Sequence, residues 1–76
     1  MLDDKHKETQ ILLSLGKRIK SIRLEKGLRQ NEVAYRCLFD KSSYNNIEAG
    51  KRNITLLTLY KIASALEEPV ENLLKE

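Results

Sequence analysis

Residues 40–50 read Asp-Lys-Ser-Ser-Tyr-Asn-Asn-Ile-Glu-Ala-Gly, and this stretch decides the fold. Tyr44 and Ile47, three apart, form the apolar side of a short helix, with Lys41, Ser42, Asn45 and Asn46 on the other side. Asp40 precedes it with a short side chain suited to accept a backbone N–H, and Gly50 supplies a natural stop. A solvated helix face ordinarily favours Glu and Lys, which form helices more readily than Ser or Asn. A face written Lys, Ser, Asn, Asn sets local propensity aside, and such exceptions mark surfaces kept for function.

Working outward, Arg29 and Gln30 open a second short segment in which Val33, Ala34 and Cys37 share a helical face. Before it, Leu12, Leu15, Ile19 and Ile22 repeat at helical spacing, with Gly27 as a stop, so a first helix is expected over about residues 10–26. After the central stretch, Thr55 caps a fourth helix carrying Leu59, Ile62, Ala63 and Leu66. Glu67–Pro69 interrupts it, and VENLL (70–74) makes a last short helix. Three Gly and one Pro leave little room for a turn-rich β fold. The expected fold is therefore all-α: a compact five-helix domain over residues 10–76 with a helix-turn-helix at helices 2 and 3. Residues 1–9 are either an N-terminal arm or an extension of helix 1. In a helix-turn-helix the second helix is anchored on one side while its other side shows short hydrogen-bonding groups to base edges.

The charge is unevenly spread. The chain of 76 residues carries +3 overall, but residues 11–53 alone hold ten Lys or Arg against four acids, and both flanks are net acidic. A basic middle is the electrostatic footprint of a polyanion binder. Among the cations of helix 1, Lys17, Arg18, Lys20 and Lys26 divide between solvated positions and positions near phosphate. A chain this short is expected to fold as one domain, and dimerisation is a natural way to bury more apolar surface. The single cysteine excludes an internal disulfide framework. No apolar run approaches the about 18 residues of a membrane span, and the start MLDDKHKETQ lacks a signal-peptide core, so an intracellular, cytoplasmic protein is expected. There is no Ser–His–acid set, no metal-ligand spacing and no Gly-rich phosphate loop; an enzyme, a metal and a cofactor are not expected. His6 is solitary, and Cys37 reads as a small core residue.

Three stretches carry a family resemblance: GKRIKSIRLEKGLRQNEVA (16–34), SSYNNIEAGKRNITLLTLYKIASAL (42–66) and VENLL (70–74). The span from Gly16 to Leu74 resembles the Cro/phage-repressor type, or XRE-like, helix-turn-helix family, and in layout the restriction–modification controller proteins. The resemblance implies base reading by Lys41, Ser42, Asn45 and Asn46; Lys can reach guanine acceptors, Asn can pair with adenine, and Ser is permissive. It implies contacts to the DNA backbone from Gln30, Ser43, Lys51, Arg52 and Asn53, with Gln30 meeting a phosphate and bracing helix 3. It also implies a structural ion pair between Arg23 and Glu48. Two positions depart from the family pattern. Leu38 stands where the turn between helices 2 and 3 usually has Gly, so either the turn is strained by about 1 kcal/mol or it takes another shape. Ala49 stands where a basic residue is common.

Leu56, Leu57, Tyr60, Val70 and Leu74 exceed the needs of one small core, so some are expected to meet a second subunit. The expectation is a transcriptional regulator that binds a near-palindromic site on double-stranded DNA as a homodimer, with helix 3 in the major groove and no small-molecule effector. The alternative is a protein-interaction module, antitoxin-like or anti-repressor, on the same scaffold.

Overall fold

The computed structural model of the chain describes residues 5–75. Five helices follow one another: α1 (Lys5–Glu25), α2 (Gln30–Cys37), α3 (Lys41–Glu48), α4 (Leu56–Leu66) and α5 (Val70–Leu73). There is no strand among the described residues. The all-α, five-helix architecture is the expected one, with α2 and α3 as the helix-turn-helix.

Helix α1 begins at Lys5 rather than near residue 10. Residues 5–10 are exposed, so no apolar stripe marks them, yet Lys, Glu and Gln sustain a helix without packing. The segment expected as arm or extension is thus helical from Lys5; residues 1–4 lie outside the described residues. The starts of α2, α3 and α4 follow side-chain chemistry. Asp40 accepts from the Ser43 N–H at 2.7 Å, Thr55 accepts from the Thr58 N–H at 3.1 Å, and Glu32 Oε1 accepts from the Arg29 N–H at 2.8 Å.

The turn between α2 and α3 is left-handed without a glycine. Leu38 has φ 61° and ψ 37°, and the following Phe39 N–H donates back to the Ala34 carbonyl at 2.9 Å. The turn keeps the geometry that glycine usually serves and places a leucine in it. Leu38 is 90% exposed, so packing does not offset the strain.

The core is formed by Ile19 and Ile22 of α1, Val33, Ala34 and Cys37 of α2, Tyr44 and Ile47 of α3, Leu59, Ile62, Ala63, Ala65 and Leu66 of α4, and Leu73 of α5. Helix α3 packs against both α1 and α2, which fixes its tilt. The α1–α3 crossing depends on Gly16. A Cβ built there would lie 2.7 Å from the Ile47 carbonyl oxygen and closer still to that of Glu48.

Part of the basic middle is structural. Arg18 Nε donates to the Asn72 carbonyl at 2.7 Å and Arg36 Nη1 to the Ala65 carbonyl at 2.8 Å. Lys26 Nζ donates to the Glu67 carbonyl at 3.1 Å and pairs with Glu68 at 3.0 Å. These cations sit at the C-terminal ends of α4 and α5, where carbonyls lack helical partners. Arg18 and Lys26 are therefore neither simply solvated nor given over to phosphate, as the sequence had left them. A long side chain can reach across a helix pair to a carbonyl that sequence spacing does not reveal.

Candidate nucleic-acid interface

Helix α3 has two chemically opposite sides. On the inner side, Tyr44, Ile47 and Glu48 are buried. Glu48 makes a two-point pair with Arg23 of α1: Nε to Oε2 at 2.6 Å and Nη2 to Oε1 at 3.2 Å. The same guanidinium donates through Nη1 to the Leu28 carbonyl at 2.8 Å, so one side chain joins α1, the α1–α2 connection and α3. Burial alone would raise the Glu48 carboxyl, but hydrogen bonds from Arg23 and Gln30 hold it below the ordinary carboxylate range. Arg23 is raised chiefly by its hydrogen bond to Glu48. Beside the pair, burial pushes the Tyr44 phenol upward; its hydroxyl has no hydrogen-bond partner among the described residues.

On the outer side, Lys41, Ser42, Asn45 and Asn46 are all exposed. The structure brings these four onto one face, as the helical spacing requires. Their engagements differ. Ser42 Oγ donates to Asp40 Oδ1 at 3.0 Å, and Asn45 Oδ1 accepts from Gln30 Nε2 at 3.1 Å. Lys41 and Asn46 have no side-chain bond among the described residues. Ser43 is half-buried at the N-terminal turn of α3, where its N–H binds Asp40. Bonds from Ser43, then Ser42, hold the exposed Asp40 carboxyl below the ordinary range.

Gln30 opens α2 and sits between the two sides. Its Nε2 donates both to Asn45 Oδ1 and to Glu48 Oε1, the latter at 2.9 Å. Lys51, Arg52 and Asn53 follow α3 as an exposed loop segment, after Gly50 at φ 73°. Of the apolar residues expected at a subunit interface, Leu56, Leu57, Tyr60 and Leu74 are 68%, 74%, 53% and 61% exposed. Val70 instead packs partly against the core and is half-buried. The exposed Ile11, Leu24 and Leu38 are further large apolar groups that the sequence did not single out for an interface. No helix among the described residues is long and apolar enough to cross a membrane, and no cluster of His, Cys, Asp or Glu among them could hold a metal ion.

A helix locked on its inner side and open on its outer side, preceded by a short helix and a tight left-handed turn, defines a helix-turn-helix protein of the DNA-binding regulator class. The comparisons agree. The helix-turn-helix family matches residues 19–73, and this chain belongs to that family. An uncharacterised HTH-type transcriptional regulator, y4dJ of Sinorhizobium fredii, is 42% identical over 52 residues, covering 68% of each chain. The restriction-modification controller protein C.AhdI from Aeromonas hydrophila has a similar structure, with a TM-score of 0.79 at 34% identity over 82% of this chain and 94% of that one. The controller protein C.Esp1396I, solved as a tetramer with its natural 35-base-pair operator, superposes with a TM-score of 0.73 at 33% identity over 86% of this chain and 96% of that one. The family consists of transcriptional regulators, and the chain is a member of it rather than an enzyme.

Proposed function

We propose that this protein regulates transcription by binding a near-palindromic operator as a homodimer, with α3 of each subunit in the major groove. The observation that carries this reading is the pair of sides on α3. The inner side is fixed by a buried ion pair, while Lys41, Ser42, Asn45 and Asn46 share an exposed outer face of short polar groups and one cation. Base edges are read by such groups, and they specify only when the helix presenting them is rigidly aimed. Lys51, Arg52, Asn53, Ser43 and the N-terminal turn of α2 at Gln30 supply the contacts to the sugar-phosphate backbone, which position without specifying. Leu56, Leu57, Tyr60 and Leu74 form the surface offered to a second subunit, with Val70 behind them. A twofold pair would set the two recognition helices about 34 Å apart, one turn of duplex. The chain acts in a prokaryotic cytoplasm, at the DNA, and its occupancy follows its own concentration.

Selection of bound sites from random duplexes tests the reading, followed by titration of the winner and a scrambled duplex at two salt concentrations. A twofold-symmetric site bound at least about 10³-fold more tightly than scrambled DNA is the expected result. Weak, salt-sensitive binding with no enriched site would overturn it and favour a protein-interaction module. Sedimentation of the free protein, with Tyr60→Ala and Leu57→Ala compared, tests the dimer face: both variants should sediment as monomers at concentrations where the parent is dimeric.

A further inference from the structure

Helix α1 is held on two flanks. Arg18 and Arg23 are five residues apart, so their side chains leave the helix about 140° apart around its axis. Arg23 reaches α3, where it pairs with Glu48 at 2.6 Å. Arg18 reaches α5, donating from Nε to the Asn72 carbonyl at 2.7 Å. Asn72 passes the connection on: its Nδ2 donates to Glu68 Oε1 at 2.7 Å, and Glu68 Oε2 pairs with Lys26 Nζ at 3.0 Å. Bonds from Asn72 and Lys26 hold the Glu68 carboxyl below the ordinary carboxylate range. Lys26 lies eight residues beyond Arg18, about 12 Å farther along α1. The bonds therefore leave α1 at one point and return to it at another, clasping the bend at Glu67–Pro69 and the start of α5. Helix α5 needs such a hold, because a helix of four residues cannot sustain itself. Directly after Asn72 come Leu73, buried in the core, and Leu74, exposed on the surface offered to a second subunit.

Resting on the reading of Leu74 and its neighbours as the subunit face, we propose that Arg18 is a positioning residue that sets which half-site spacing the dimer accepts. Helix α1 acts as a strut. One flank carries the recognition helix through Arg23 and the close approach at Gly16, and the other carries the subunit face through Arg18 and Lys26. Burial of Leu73 is non-directional and fixes how deep α5 sits, whereas hydrogen bonds are directional and fix its angle. Twofold symmetry doubles any slack between α1 and α5 at the far recognition helix. One base pair added between half-sites displaces the second by about 3.4 Å and turns it by about 35°. A dimer stiffened at Arg18 cannot follow that change, and a slack one can. A cation of the basic middle thus selects among operators without touching one.

The experiment takes the selected operator, versions with one base pair inserted or removed between its half-sites, and a duplex holding a single half-site. Each is titrated with the full chain and with Arg18→Met, which keeps the aliphatic stem and removes the donors. The parent should bind the altered spacings about tenfold or more weakly than the selected one. In Arg18→Met that ratio should shrink to about threefold or less, with affinity for the single half-site unchanged. The ratio cancels any loss of dimer affinity, which enters both spacings alike. Arg18→Lys, which retains a donor, should restore part of the discrimination. Should Arg18→Met not fold, Lys26→Met opens the clasp at its other end and is read by the same ratio. A variant as strict as the parent, or one that weakens every duplex in equal proportion, single half-site included, overturns the proposal and leaves the dimeric reading intact. A parent that tolerates every spacing overturns it too. A parent that binds two half-sites no more tightly than one overturns the dimeric reading as well.

Discussion

The inner and outer sides of α3 lie on one eight-residue helix, yet physics treats them differently. The inner side consists of groups that water does not reach: Tyr44 and Ile47 in the core, and Glu48 clasped by Arg23 with side-chain exposures of 3% and 8%. The outer side consists of groups that water already satisfies. Loss of an inner group leaves an unmatched charge or a void in the folded state, whereas loss of an outer group leaves the free protein nearly unchanged. Stability and specificity should therefore separate along a single helix, and variants on the two sides should fail in different assays.

The sharpest break is at the ion pair. Glu48→Ala leaves Arg23 buried without its counter-charge and should cost about 3–5 kcal/mol in urea unfolding. Replacing both partners by methionine should recover most of that loss, because a buried pair gains little over apolar packing. The pair also predicts a pH dependence. The folded Glu48 carboxyl lies below its unfolded value of about 4.3. Its contribution is therefore complete above that value and is lost as pH falls through the folded pKa. The unfolding midpoint should decline below about pH 4.5, and less steeply in Glu48→Gln. A parent stability that rises on acidification would refute the assignment.

Gly16 extends the inner-side argument to the backbone. Adding a methyl group there pushes α1 away from the last carbonyls of α3, so Gly16→Ala should cost about 1–3 kcal/mol by overpacking. Operator affinity should fall with it, since the tilt of α3 changes. On the outer side, Asn46→Ala should leave the urea midpoint in place while weakening the preferred operator by about 1–3 kcal/mol and scrambled DNA hardly at all. An equal loss on both duplexes would remove Asn46 from base reading. Arg52→Ala should instead weaken both duplexes alike and lower the salt slope by about one.

The two sides also differed in how much of them the sequence disclosed. The helix order and the outer face followed from periodicity and from the misfit of Ser and Asn in an exposed helix, both local signals. The Arg23–Glu48 pair required a family resemblance, since nothing in a linear spacing of 25 residues brings those two charges together. The bracing of α3 by Gln30 was likewise implied only by the resemblance, and its particular partners were not. Its position at the start of α2 was readable, but its engagement with both Glu48 and Asn45 depends on how α2 crosses α3. The structural use of Arg18, Lys26 and Arg36 was hidden for the same reason, because the carbonyls they reach belong to helix ends far along the chain. Gly16 stood in the sequence as an unremarked glycine inside a helix, a placement that costs helix stability and signals a close approach.

Leu38 belongs to neither side, and it is where the comparison predicts a gain. It occupies the left-handed region at φ 61°, its side chain is 90% exposed, and Phe39 behind it completes the turn by its own hydrogen bond to Ala34. Leu38→Gly removes a Cβ from an unfavourable conformation and almost no buried area. Glycine has greater freedom to lose on folding, which opposes the gain, but at positive φ the relief of strain outweighs it. The net should be a stabilisation of up to about 1 kcal/mol, a rise in Tm of a few degrees for a domain of this size. Affinity for the operator should be unaltered, because the turn already has the shape that glycine would give it. A loss of affinity at unchanged or raised Tm would mean that the leucine itself, exposed at the corner between α2 and α3, touches the DNA or the second subunit.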